Sequence, residues 1–239
     1  MTKNSTVKYS KEFRLSTSIQ RSPEWYKERA GLPSASGLGA LLDRLKNGEP
    51  SAKSRDYRRQ LAFERKFGVN YSQFQTKAMS DGIFYEDFAK KIYQKETGHK
   101  ISEAFSYISD WFVATPDATV GPDGLLECKV VGDDTFMSII EDGVPRAHML
   151  QMQGQLLASG KDWVDYKAVN IKTKSYILLT VSRDEDLIQE IYDRLHEPLD
   201  LPELKSDHLR VAGFNDKDLD SWYDQNKPDD NYKIENLGF

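Results

Sequence analysis

The segment Leu126-Glu127-Cys128-Lys129-Val130 sets an acid and a base two residues apart inside an apolar run. As a strand it sends Glu127 and Lys129 to one face, with Cα atoms roughly 6.6 Å apart, while Cys128 and Val130 face the other side, toward a core. On its own such a pair is the ordinary solvated face of a half-exposed strand. Asp117 alters that reading. It follows Pro116, ten residues before Glu127, where a hairpin brings it alongside. Neighbouring carboxylates repel one another unless a cation sits between them, and hard oxygen donors suit Mg²⁺ or Mn²⁺ rather than zinc. A cation held there would polarise a phosphodiester and acidify a bound water. Lys129 would orient or deprotonate that water and offset the charge developing at phosphorus. Asp123 also follows a proline ahead of Glu127, but Gly121-Pro122-Asp123-Gly124 has the composition of a turn, so Asp123 is expected to be structural.

These residues fall in a stretch of short β-type runs, expected at 100–108, 111–115 and 125–131. Helices should precede and follow it. Ser22 as N-cap, Pro23 at the first helical position and Gly31 as the stop outline a helix carrying Trp25, Tyr26 and Arg29. A second helix is expected at 36–45. A third, at 55–67, concentrates Arg55, Arg58, Arg59, Arg65 and Lys66, a basic cluster suited to phosphate contacts, though such helices are commonly just solvated faces. Ile83, Phe84, Phe88 and Ile92 recur at helical spacing over 80–97, which places Glu86 on that helix. Helices at 133–141 and 146–159, strands at 163–171 and 175–181, and an amphipathic helix at 184–195 complete a mixed α/β pattern without βαβ regularity. Residues 1–20 read as a polar, flexible arm and 201–239 as an acidic extension, leaving one domain over 21–200.

Composition sets the outer bounds. A chain of 239 residues suffices for one substantial core, and the net charge of −5 means that any nucleic-acid contact must come from a local basic cluster. One cysteine excludes an intramolecular disulfide and a cysteine-ligated iron–sulfur cluster. No apolar run approaches the roughly 20 residues of a membrane-spanning helix, and the N-terminus lacks a secretory pattern, so a cytoplasmic location, in a bacterium or a phage-infected host cell, is expected.

In order and spacing, several short motifs together resemble the lambda exonuclease and YqaJ-like viral recombinase family of the PD-(D/E)xK nucleases. They are Trp25-Tyr26-Lys27-Glu28-Arg29 followed by Ser34-Ala35-Ser36, Gly82-Ile83-Phe84-Tyr85-Glu86, Thr115-Pro116-Asp117, Glu127-Cys128-Lys129, and Gln151-Met152-Gln153 followed by Gly160-Lys161-Asp162-Trp163. The resemblance covers residues from about Trp25 to Tyr166 and implies a restriction-endonuclease-like α/β core with a central mixed β-sheet flanked by helices. It further implies that Asp117 and Glu127, with Glu86 and the backbone carbonyl of Cys128, bind Mg²⁺ (or Mn²⁺ in its place). Lys129 would be the catalytic lysine, and Gln153 would sit at the edge of the site. Arg29, Ser34 and Ser36 would take the phosphate of a 5′ end, for which a guanidinium and hydroxyls are apt. The implied activity is 5′-to-3′ degradation of one strand of duplex DNA by a ring-shaped homo-oligomer, a trimer by resemblance, leaving a 3′ overhang for a single-strand annealing protein. Two departures, Ala118 after the metal-binding Asp and His148 where the family often has an aromatic residue, leave the shape of the substrate pocket open. A structure-selective or restriction-type endonuclease, or a non-catalytic DNA-end binding protein on the same core, are the alternatives.

Overall fold

Pro116 has no N–H to give to a β-ladder, and at this residue the chain leaves one sheet and enters another. The computed structural model describes residues 7–69 and 77–202, with Lys217 and Ser221 beyond them. The described elements run α1 (Val7–Ser10), β1 (Arg14–Leu15), α2 (Pro23–Arg29), a 3₁₀ turn (Ala35–Gly37), α3 (Leu38–Leu41), α4 (Ala52–Phe67), α5 (Lys77–Thr97), β2 (Ile101–Glu103), β3 (Tyr107–Ile108), β4 (Val113–Ala114), β5 (Ala118–Val120), β6 (Gly124–Val130), α6 (Asp133–Asp142), α7 (Arg146–Ser159), β7 (Trp163–Asn170), β8 (Ser175–Ser182) and α8 (Glu185–His196). Five strands make the main sheet in the order β2-β5-β6-β7-β8, and β1-β3-β4 form a small second one. Only β6 and β7 pair in parallel, Glu127 standing opposite Tyr166; β2–β5, β5–β6 and β7–β8 are antiparallel. A mixed sheet flanked by helices was the expected class.

Both faces of the sheet are covered, and β6 shows it residue by residue. Leu125 belongs to the larger core cluster with Leu38, Met152, Leu156 and Ile188, while Leu126 joins Tyr93, Ala118 and Val120 on the opposite face. The most enclosed helix is α7, in which every residue from Leu150 to Ala158 is buried. A helix apolar on one face alone would sit at the surface; this one runs through the core, and its polar side chains must therefore find partners inside it.

Several expectations need correction. Residues 7–20 are not a free arm: Tyr9 is buried in the core cluster, and Arg14 and Leu15 pair with Ile108 and Tyr107. One buried aromatic ring carries enough apolar area to order a short polar segment, which composition alone does not reveal. The helix read at 36–45 is a 3₁₀ turn and a single α-turn, because the chain bends back so that Arg44 bridges Pro50. The run at 100–108 splits into β2 and β3, which belong to different sheets. Asp117 stands immediately before a separate short strand, β5, instead of in the run expected at 111–115. Contacts separate Met1–Pro202 from Glu203–Phe239. Apart from Leu201, Pro202, Lys217 and Ser221, the acidic extension lies outside the described residues, as do residues 1–6 and the side chain of Ile83. No helix among the described residues is long and apolar enough to cross a membrane.

Candidate active site

The hairpin of β5 and β6 pairs Ala118 with Leu126, and the Asp117 N–H donates to the Leu126 carbonyl at 3.1 Å. Its side chain turns back across β6, where Oδ2 accepts from the Cys128 N–H at 2.7 Å. Glu127 and Glu86 line the same cavity, with Cys128, Lys129, Arg29, Ser34, Ser36 and Arg21; its volume is about 530 Å³. Pairing of two strands, packing of α5 across β6, and the turn after α2 are what bring these residues together.

Glu127 is only 2 % exposed, and each of its oxygens is held. Lys129 Nζ lies 2.6 Å from Oε1, Gln151 Nε2 donates to Oε1 at 2.6 Å, and Gln155 Nε2 donates to Oε2 at 2.6 Å. Gln151 and Gln155 are four residues apart on α7 and so share a face; Gln153, between them, points the other way. It accepts from the Asp184 N–H at 3.0 Å and donates to the Ser182 carbonyl at 2.9 Å, tying the end of β8 and the start of α8 to α7. The glutamine expected at the edge of the site is therefore not Gln153, and the two that reach it are readable from their spacing.

Burial and the charges of Glu127 and Glu86 push the Asp117 carboxyl well above the ordinary carboxylate range, against the opposing pull of Lys129 and the Cys128 N–H. Burial favours loss of the Lys129 proton, but the charges of Glu127 and Asp117 outweigh it and raise the ammonium above its usual value. In this arrangement the ammonium form of Lys129 is favoured. Burial would raise Glu86 as well, but Lys90 at 2.6 Å and Arg21 at 2.9 Å hold it below its usual value. Burial also keeps the Cys128 thiol protonated. His148 is pushed down to about 4 by burial and then by Lys129, and its Nδ1 lies 2.8 Å from the Tyr166 hydroxyl.

Among the described residues, no three acidic, histidine or cysteine side chains are gathered closely enough to hold one metal ion. The donors themselves fit a hard divalent cation: three carboxylates face one cavity, and the like charges that raise Asp117 are those a cation would relieve. Protein cations now hold two of them, Lys129 on Glu127 and Arg21 with Lys90 on Glu86. Gln155 also leaves its buried Oε1 without a partner among the described residues, an acceptor that calls for a donor such as water.

The same cavity is lined by Arg29 and by two serine hydroxyls. Arg29 lies four residues after Trp25 on α2, so its guanidinium packs 3.9 Å over the Trp25 ring, and Gly31, at φ +75°, follows the end of the helix. The Arg29 guanidinium makes no hydrogen bond or ion pair among the described residues, and burial lowers its pKa while the charges of Tyr57, Glu64 and Tyr26 raise it. A partly buried guanidinium without a carboxylate partner is an anion site in waiting. Ser34 and Ser36 stand 3.3 Å apart between their hydroxyls, and Tyr57 Oη reaches both the Ser34 N–H at 3.1 Å and its hydroxyl at 3.2 Å. Tyr57 and Arg21 went unread, since neither lies in a motif.

A mixed sheet with an acidic cluster on its central hairpin and a lysine two residues on defines the restriction-endonuclease-like class. The chain matches the YqaJ-like viral recombinase domain over residues 24–162 and belongs to that family. Among solved structures it is similar to an alkaline exonuclease, LHK-Exo, from Laribacter hongkongensis at 28% identity, covering 73% of this chain and 89% of that one with a TM-score of 0.64. LHK-Exo in complex with dAMP is similar at 27% identity, TM-score 0.65, with the same coverage. A phage-related exonuclease from Haemophilus somnus 129PT, at 16% identity and TM-score 0.54 over 69% of this chain and 90% of that one, shares the fold. No curated protein sequence matches. Family and relatives together support a nuclease.

Proposed function

We propose that this protein is a Mg²⁺-dependent 5′-to-3′ exonuclease that enters at 5′-phosphorylated ends of double-stranded DNA and leaves 3′ single-stranded overhangs for a strand-annealing protein. The observation that carries the reading is a single cavity lined both by Asp117, Glu127, Glu86 and Lys129 and by Arg29, Ser34 and Ser36. A site that cuts anywhere along a strand needs the first group; only one that measures from a terminus needs the second.

Asp117, Glu127, Glu86 and the Cys128 carbonyl would hold Mg²⁺, which supplies polarisation of the scissile phosphate and acidification of the attacking water. Lys129, protonated, orients that water and balances charge developing at phosphorus. Gln151 and Gln155 fix the rotamer of Glu127, and Arg29 binds the terminal phosphate bidentately, with Ser34 and Ser36 donating to it. Release of Glu86 from Arg21 and Lys90 frees its oxygens. Assembly as a ring, a trimer by resemblance, and action in a bacterial or phage-infected cytoplasm belong to the same proposal; a ring would keep an acidic protein on DNA topologically.

Digestion of linear duplexes bearing 5′-phosphate, 5′-hydroxyl or blocked ends, beside a closed circle, with and without Mg²⁺, tests it. The expected result is Mg²⁺-dependent loss of one strand from the phosphorylated ends and an intact circle, abolished by Lys129→Ala with the far-UV spectrum unchanged. Nicking of the circle would make the protein an endonuclease, and normal digestion by the lysine variant would remove Lys129 from the chemistry.

A further inference from the structure

A second cavity, of about 570 Å³, lies between the start of α4 and the chain that follows α8. Five guanidinium groups line it, those of Arg44, Arg55, Arg58, Arg59 and Arg194, against two carboxylates, Glu197 and Asp200. A local excess of three positive charges is unusual in a chain whose formal charge is −5. Only one of the five has an evident structural duty: Arg58 bonds Ser54 Oγ and the Leu199 carbonyl, fastening α4 to the segment beyond α8. Arg55, Arg59, Arg44 and Arg194 are exposed, and their contacts are to the Pro50 carbonyl, Asp56, the Gly48 carbonyl and Glu197. Burial lowers the pKa of Arg58 and the charge of Arg44 lowers it further, against the opposing pull of Asp200 and Glu197, so Arg44 and Arg58 stand close enough to repel. Clustered cations are held against such repulsion most readily when an anion sits among them.

We infer that this arginine-lined cavity is a second phosphate site, which grips the nucleic-acid backbone away from the scissile bond. The inference rests on the chain's being a nuclease. Planar, forked donors match phosphate oxygens bidentately and read no base, as a protein that moves along a strand requires. Helix α4 ties the two sites together. Its Tyr57, Gln60 and Glu64, on one stripe, face the space beside Arg29 and Ser34, while Arg55, Arg58 and Arg59 face the second cavity. The two sites thus flank one helix of about 10–12 Å diameter, a span of about three nucleotides at a rise of roughly 3.4 Å per strand.

Binding of a fluorescent duplex to the full chain, in chelator so that no cleavage intervenes, is measured by anisotropy across a salt series. Arg55→Ala with Arg59→Ala should weaken binding several-fold at low salt and reduce the slope of log K against log salt by about 2, one phosphate contact for each arginine. Lysine at both positions should restore the slope. Lys95→Ala with Lys172→Ala, at two exposed residues outside this cavity, removes the same amount of charge and is the control for net charge, which should leave the slope unchanged. Equal slopes for wild type and the arginine-to-alanine double variant overturn the site, as does an equal loss in the lysine control. Inorganic phosphate titrated calorimetrically separates the sources: saturable binding lost in the arginine double variant while the DNA slope stays put would make this a site for free phosphate and overturn the strand assignment. A wild-type chain that digests no DNA under any condition would sink the nuclease reading instead, and the slopes would judge the cavity independently of it.

Discussion

Glu127 is almost wholly buried at the cavity wall, and Lys129, Gln151 and Gln155 hold its two oxygens. Loss of either amide leaves a buried carboxylate short of a donor and free to change rotamer, and groups that orient a metal-binding side chain are typically worth 10–100-fold in metal affinity or activity. Gln151→Ala and Gln155→Ala should therefore each lower kcat of end digestion by about 10-fold or more. Gln153→Ala should cost about 1–3 kcal/mol of stability by stranding the Asp184 N–H and Ser182 carbonyl, with little change in kcat. Steady-state kinetics beside urea unfolding separates them, and a larger kinetic loss from Gln153 would return it to the site. His148 makes a prediction of opposite kind. Its folded pKa of about 4 lies below the ordinary histidine value of 6.5, so as pH falls below about 6.5 the unfolded chain takes up a proton that the folded one refuses. The stability from this ring is complete above that pH and drains away toward 4. His148→Phe should flatten the fall in urea midpoint between about pH 6.5 and 4, and an unchanged slope would show that the ring titrates normally. Asp117, Glu127 and Lys129 could be read from the sequence because chemistry and spacing coincide there. The glutamines were misassigned because the resemblance points to Gln153, although the spacing of four already sets Gln151 and Gln155 on one face of α7 and Gln153 on another.

Among elements, those bounded by local signals were legible and those bounded by contact were not. Helix α7 spans Arg146–Ser159 as expected, because Pro145 caps its start and Gly160, at φ +69°, ends it. The short strands carry no such signal: β3, β4 and β5 are two or three residues long and owe their existence to pairing partners distant in sequence. Arg29 depends on the turn that follows α2, which α4 clamps from both sides, Glu64 accepting from the Gly31 N–H at 2.7 Å and Arg65 donating to the Gly31 carbonyl at 2.9 Å. A Cβ at Gly31 would stand 2.4 Å from Arg65 Cγ and 3.0 Å from its backbone nitrogen. Gly31→Ala combines that clash with a left-handed backbone, so a loss of about 1–3 kcal/mol is expected, read as a lower melting temperature. Because the turn anchors to α4 the end of α2 that carries Arg29, the preference for 5′-phosphorylated over 5′-hydroxyl ends should shrink in the same variant, and an unchanged preference would show that this anchor does not set the position of Arg29.

At the scale of the whole chain, a net charge of −5 argues against nucleic acid, and its distribution removes the objection. Residues 203–239 hold nine Asp and Glu against five Lys and Arg, a net −4, which leaves −1 on residues 1–202. Contacts draw the boundary at the same place, between Met1–Pro202 and Glu203–Phe239. The unit that carries the site is therefore almost neutral, and its arginines are gathered in cavities while the acidity is collected elsewhere. Surplus negative charge on a neighbouring segment repels a polyanion over a Debye length, roughly 10 Å at 0.1 M salt, and salt screens that repulsion. A chain ending at Pro202 should bind duplex DNA a few-fold more tightly than the full chain at about 50 mM salt, and the advantage should vanish near 0.5 M, where the Debye length is only about 4 Å. Anisotropy titrations at the two concentrations decide it. If the shortened chain binds more weakly at both, residues 203–239 contribute contacts to the DNA instead of repelling it.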